Sequence, residues 1–122
     1  MDLMLVLFAS ILVSAGGAKV RLKEETPGLL AKAKVTPAAA AAAALRKVPT
    51  ARLASAEIER EGKKLIYSFD FRTIGKSGID EVTVDALTGV VLTGEHESPK
   101  DETRETADEA KKRAKKQGPT RP

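Results

Sequence analysis

Apolar residues are laid out along this chain in three different ways, and each predicts a different kind of element. Residues 3–13 form an unbroken apolar or small run, LMLVLFASILV. Seven consecutive alanines at residues 38–44 are followed by Leu45. From residue 52 onward the pattern alternates. Ala54, Ala56 and Ile58 fall on one side of a predicted strand, with Ser55, Glu57 and Glu59 on the other. Leu65, Tyr67, Phe69 and Phe71 then alternate with Ile66, Ser68, Asp70 and Arg72, the clearest period-two stretch in the chain.

The alanine run carries its own start and stop. Thr36 offers a hydroxyl at the N-cap and Pro37 sits at the first helical position, where its missing N–H costs nothing. Alanine has the highest helix propensity of any residue. Pro49 disfavours helical geometry at Val48 and ends the element. Ala41, Leu45 and Val48 share one helical face. Alanines permit close approach but bury little apolar area each, so this helix needs a sheet beneath it.

Turn residues divide the alternating region. Glu61-Gly62-Lys63 separates the first two strands, and residues 75–78 separate the second from a third that opens at Ile79 or Val82. Leu87-Thr88-Gly89 breaks that strand from a short fourth at Val90-Val91-Leu92. The expected fold is α+β: one N-terminal helix packed on a three- to four-stranded antiparallel sheet, with one sheet face wet and with flexible charged tails. About 60 residues would make up this unit, close to the limit of independent stability.

The apolar run at residues 3–13 is too short for a bilayer span, which needs about 20 residues. With Ser14-Ala15-Gly16-Gly17-Ala18 after it, it has the layout of a secretory signal peptide over residues 1–18, cleaved after Ala18 or Ala15 or kept as an anchor. It is atypical, because Asp2 stands where basic residues are usual. Residues 19–35, with Pro27-Gly28, are expected to form a linker, residues 36–94 the domain, and residues 95–122 a charged tail, disordered or partly helical. The expected address is periplasmic or secreted.

Composition narrows the chemistry. The chain has 122 residues, no Cys, no Trp, and only three Phe and one Tyr, so disulfides, thiolate chemistry and a deep aromatic cofactor pocket are excluded. The net charge of +4 is concentrated in residues 19–35, which carry +3, while residues 36–94 carry only +1. A nucleic-acid footprint would need a basic face on the domain with aromatics beside it, so nucleic acid is not expected as a partner. The tail is acid-rich over residues 101–109 and basic over residues 111–116, leaving membrane contact open through that block or the N-terminus. His96, the sole histidine, stands between Glu95 and Glu97 and makes a poor metal cage or catalytic base. No catalytic, cofactor-binding or metal-binding set is legible, and no enzyme is expected.

The order Thr36-Pro37 with an alanine-rich helix, then Ala56-Glu57-Ile58-Glu59-Arg60, Leu65-Ile66-Tyr67 and Val84-Asp85-Ala86-Leu87-Thr88-Gly89-Val90-Val91-Leu92 resembles the PepSY domain over residues 36–93. The motif residues are Thr36, Pro37, Tyr67, Asp85, Thr88 and Gly89. Their own chemistry points to structure: Asp85 and Thr88 can accept turn N–H groups, Gly89 can take positive φ, and Tyr67 suits the core with its hydroxyl at the rim. What the resemblance implies is an exported, non-enzymatic binding module with a protein partner, a peptidase that it inhibits or helps to fold. The alternative is a membrane-anchored envelope scaffold or sensor component.

Overall fold

The computed structural model describes residues 10–98. Six strands form one sheet in sequential order: β1 (Leu12–Ala15), β2 (Ala18–Glu24), β3 (Arg52–Glu61), β4 (Lys64–Arg72), β5 (Ile79–Asp85) and β6 (Val91–Glu97). One helix, α1 (Pro37–Leu45), lies between β2 and β3, preceded by a 3-10 turn at Leu30–Lys32. All neighbouring strands pair antiparallel except β2 and β3, which are parallel. A parallel pair needs a long crossover, and the segment carrying α1 supplies it.

This corrects the expected three- to four-stranded antiparallel sheet. The sheet is mixed and has six strands, although the class remains α+β. The two additional strands come from before the helix. Residues 18–24, placed in or beside a linker on sequence grounds, alternate Ala18, Val20 and Leu22 against Lys19, Arg21 and Lys23 and form β2. Gly16 and Gly17, both at positive φ (63° and 78°), make the tight turn that joins β1 to β2. Val13 and Ala15, within the span expected to be a signal segment, are core residues. The fourth meander strand also runs further than expected, so Thr93 to Glu97 extend β6 rather than opening a tail. The rest of the N-terminal run, residues 1–9, and the tail from residue 99 lie outside the described residues.

Helix α1 begins as its sequence dictates. Thr36 stands at the N-cap, and its Oγ1 accepts the Ala39 N–H at 3.2 Å. Ala40, Ala41 and Ala44 are buried, with Leu45 and Val48 half-buried beside them, and the helix packs against β1, β4 and β5. Its fully buried residues are all alanines, whose side chains end at Cβ and permit close approach to the sheet. Tyr67, Phe69 and Phe71 are fully buried on β4 and line up ring to ring, with centroids 5.9 and 6.4 Å apart. Leu53, Ala56 and Ile58 from β3, and Val82 and Val84 from β5, complete the core.

Candidate functional site

The sequence motif gathers at one corner of the fold. Asp85 ends β5, and its Oδ1 accepts the N–H groups of Leu87 (2.8 Å) and Thr88 (3.1 Å), while Thr88 Oγ1 accepts the Val90 N–H at 3.3 Å. Gly89 turns the chain at φ 79° and donates its N–H to the Asp85 carbonyl at 2.8 Å. A Cβ at Gly89 would lie 3.4 Å from Val35, so the turn packs on the segment entering α1. That segment is fastened three more times. The Ala86 carbonyl accepts the N–H groups of Lys34 (2.9 Å) and Val35 (3.0 Å), and the Tyr67 hydroxyl donates to the Val35 carbonyl at 2.6 Å. Burial pushes the Tyr67 phenol up to about 12, so it remains a donor at any physiological pH. Thr36 and Pro37 follow directly. The six motif residues thus surround the start of α1 and fix it on the sheet.

A groove opens at the other end of the helix. Residues just past its C-terminus, Lys47 and Val48, face Asp80 and Val82 of β5 and the inner side of β6 across about 480 Å³. Gly94 of β6 is paired with Val82, and a Cβ there would meet nothing within 4 Å, so the missing side chain leaves the floor open. At one rim His96 Nδ1 lies 2.8 Å from Asp80 Oδ1, a pair that joins β6 to β5. The outer edge of β6 has no neighbouring strand among the described residues. A groove of mixed polar and apolar lining beside a strand edge of this kind can accept an extended peptide by main-chain pairing, with one side chain placed over Gly94. His96 was assigned to a loose tail on sequence grounds. Gly94 between strand-forming neighbours was the one sequence signal for this groove.

Among the described residues no helix covers the opposite face of the sheet, which is rich in carboxylates. Asp70, Glu81 and Glu95 stand directly opposite one another across β4, β5 and β6. At the β2–β3 side, the carboxylates of Glu25, Glu57 and Glu59 all lie within 4.8 Å of one another. Partial burial, and then Glu57, push the Glu59 carboxyl up to about 7, with Glu25 and Glu81 adding to it. Glu81 is raised in the same direction, by burial first and then by Asp70. Three oxygen donors are fewer than a calcium site takes, and the trio assigns no metal. Among the described residues no helix is long and apolar enough to cross a membrane.

Comparison with known families matches residues 34–95 to PepSY, the peptidase propeptide and YPEB domain, over just over half of the chain. The chain belongs to the PepSY family. The matched stretch starts at Lys34, whose N–H bonds Ala86, and ends inside β6. The PepSY domain as matched therefore holds α1, β3 to β5 and most of β6, the motif corner and all of the groove lining but His96, whereas β1 and β2 add to it from outside. No curated protein and no solved structure matches the chain.

Proposed function

We propose that this chain is an exported, non-enzymatic PepSY module that regulates a peptidase outside the cytoplasm by binding an extended segment of it along β6. The observation that carries the reading is the family match over the helix–sheet unit, whose description ties it to peptidase propeptides. The groove between α1 and β6 gives that reading a physical route. Backbone pairing at the β6 edge would supply affinity that is indifferent to sequence, and the Gly94 floor would select the side chain. Export rests on the apolar run at residues 3–13. Any processing that keeps the sheet whole must spare Leu12–Ala15.

The test is steady-state inhibition, by the full chain, of a panel of extracytoplasmic peptidases, with Gly94→Val as comparator. Valine suits an extended strand, and its Cβ at this position would meet no atom within 4 Å. Inhibition at micromolar concentration that Gly94→Val weakens tenfold or more, about 1.4 kcal/mol, supports the reading. Failure to inhibit any peptidase of the panel, or inhibition untouched by the substitution, counts against it.

A further inference from the structure

A second concavity, of about 400 Å³, opens where the start of β3, the end of β4 and the turn after it come together. Its charged lining is of one sign, Arg52, Arg72 and Lys76, beside the apolar Ala18 and Leu53. Arg52 and Arg72 stand directly opposite each other across β3 and β4, where like charges are destabilising and a bound anion would relieve them. The Arg52 guanidinium donates to the Gly17 carbonyl at 3.5 Å, and among the described residues no carboxylate lies within 4 Å of any of the three cations. Carboxylates do share the sheet face of the arginines. Asp70, two residues before Arg72, accepts from Ser55 Oγ at 3.0 Å, Glu81 and Glu95 continue its row away from β3, and Glu97 pairs with Ile79. None of these lines the concavity. Lys76 also borders a neighbouring hollow with Asp80, whose Oδ1 lies 2.8 Å from His96.

Charge alone would suit any anion, and the tip beside the concavity narrows the class. The Lys76 N–H donates to the Thr73 carbonyl at 3.1 Å with Gly75 at φ 83°, the arrangement of a type II turn with Ile74 at its outer corner. Ile74 is 87% exposed, the most exposed large hydrophobic side chain among the described residues, and it stands on the rim of the cationic concavity. An apolar tip flanked by guanidinium and ammonium groups matches the surface of an anionic bilayer, phosphates outside and acyl chains beneath. The apolar stems of Arg and Lys let their heads stay at phosphate level while the isoleucine enters. A small soluble anion would leave Ile74 unused, and an acidic protein surface would offer carboxylates with no apolar layer behind them.

We propose that the turn at residues 73–78 and the Arg52–Arg72–Lys76 concavity form a membrane-surface contact that holds the domain on anionic phospholipid. The cations take headgroup phosphates and Ile74 enters the acyl boundary. The contact is peripheral, and it stands independently of the β6 groove.

The chain lacks cysteine, so a single label reports on a single place. An environment-sensitive fluorophore on Ser77→Cys of the full chain, beside the tip, is compared with one on Lys63→Cys in the β3–β4 turn at the opposite end of the sheet. With phosphatidylglycerol–phosphatidylcholine vesicles at ~20 mM salt, emission at residue 77 should move to the blue while residue 63 stays as in water, and ~500 mM salt, with a Debye length of about 4 Å, should reverse the shift. Phosphatidylcholine alone should give none. Arg72→Gln with Lys76→Gln should weaken vesicle binding roughly 25-fold, at about fivefold per cation, and Ile74→Ser about tenfold. Unchanged melting temperatures verify the fold of these surface variants. No shift at residue 77, an equal shift at residue 63, or a shift that neutral vesicles or the double variant leave intact overturns the proposal. So does loss of the shift to millimolar inorganic phosphate at constant ionic strength, which would make this a free-anion site. Binding of polyglutamate through Arg72 and Lys76 without any vesicle shift would likewise overturn it in favour of an acidic polypeptide.

Discussion

Whether the first hairpin is an integral part of the sheet can be decided at two adjacent glycines. Gly16 and Gly17 both hold positive φ, at 63° and 78°, so alanine at either position incurs about 1–2 kcal/mol of left-handed strain. They differ in what surrounds them. A Cβ on Gly17 meets nothing within 4 Å, whereas one on Gly16 would lie 2.0 Å from the Ala51 carbonyl oxygen and 2.9 Å from Arg52 Cα. Both of those atoms are backbone at the entry to β3, and neither can swing aside as a side chain would. Relief requires the turn to lift by more than 1 Å, which pulls β1 away from α1 and uncovers Val13, now 1% exposed. Losing that burial costs about 1.5–3 kcal/mol for a valine. Gly17→Ala should therefore destabilise the chain by about 1 kcal/mol, and Gly16→Ala by about 3–4 kcal/mol. Urea denaturation of the full chain, followed by far-ultraviolet circular dichroism, measures both. Equal losses for the two variants would refute the argument, since the hairpin could not then be seated against residues 51 and 52.

Three further outcomes are expected. Phe69→Ala should cost about 3–5 kcal/mol, because the ring is fully buried between Tyr67 and Phe71; a loss below about 1 kcal/mol in the same denaturation would contradict its place in the core. Tyr67→Phe keeps the ring but strips the Val35 carbonyl of its hydroxyl donor, and should cost about 1–2 kcal/mol together with faster amide exchange at Lys34 and Val35. The third concerns pH. Glu59 titrates at about 7 in the fold against an ordinary value of 4.5, so between these limits the native chain holds more of the proton and stability falls as pH rises. Solvent screening of this partly exposed group limits the loss to roughly 1 kcal/mol. Glu59→Gln should flatten the fall in melting temperature from about pH 4.5 to 8 and raise stability at the alkaline end, while an unchanged slope would place the titration elsewhere.

What could be read from the sequence follows from how each element is buried. Strand β4 has one dry face, so Leu65, Tyr67, Phe69 and Phe71 announce it by alternation. The Thr36-Pro37 start and the Pro49 stop bracket α1 without help from tertiary structure. Strand β2 alternates as well, but its apolar members are small or isolated (Ala18, Val20, Leu22), and the charges of Lys19, Arg21 and Lys23 gave it the composition of a linker. Its partner β1 was concealed differently. Residues 12–15 overlap the end of an eleven-residue apolar run, and a continuous run carries no period from which strand and leader can be told apart. The Gly16-Gly17 turn was the discriminating signal, since paired glycines between strand-like stretches mark a tight hairpin. The far half of β6 is wet on both sides, from Thr93 to His96, and offers no hydrophobic pattern at all. The groove beside it joins residues from three separate places in the chain, Lys47, Asp80 and Gly94, and only the folded register brings them together.

The two faces of the sheet explain how so modest a core holds the helix–sheet unit together. All the aromatic side chains of the described fold are spent on one side, in the β4 row beneath α1, and the alanine helix adds rigidity and close approach more than area. The motif corner then holds the front of that helix through Ala86, Tyr67 and Gly89, far from its C-terminal end. Fixing one end of a nine-residue helix fixes its other end as well, because a helix transmits position along its axis with 1.5 Å per residue of rigid backbone. Together with the packing of α1 on β1, β4 and β5, this holds Lys47 and Val48 opposite β6 at the groove. If the proposed capture of a peptidase segment at this groove holds, substitution in the Asp85–Gly89 turn should weaken it in proportion to how far it frees the start of α1, measured as the loss of peptidase inhibition by the variant; unchanged inhibition with a freed helix start would refute the coupling.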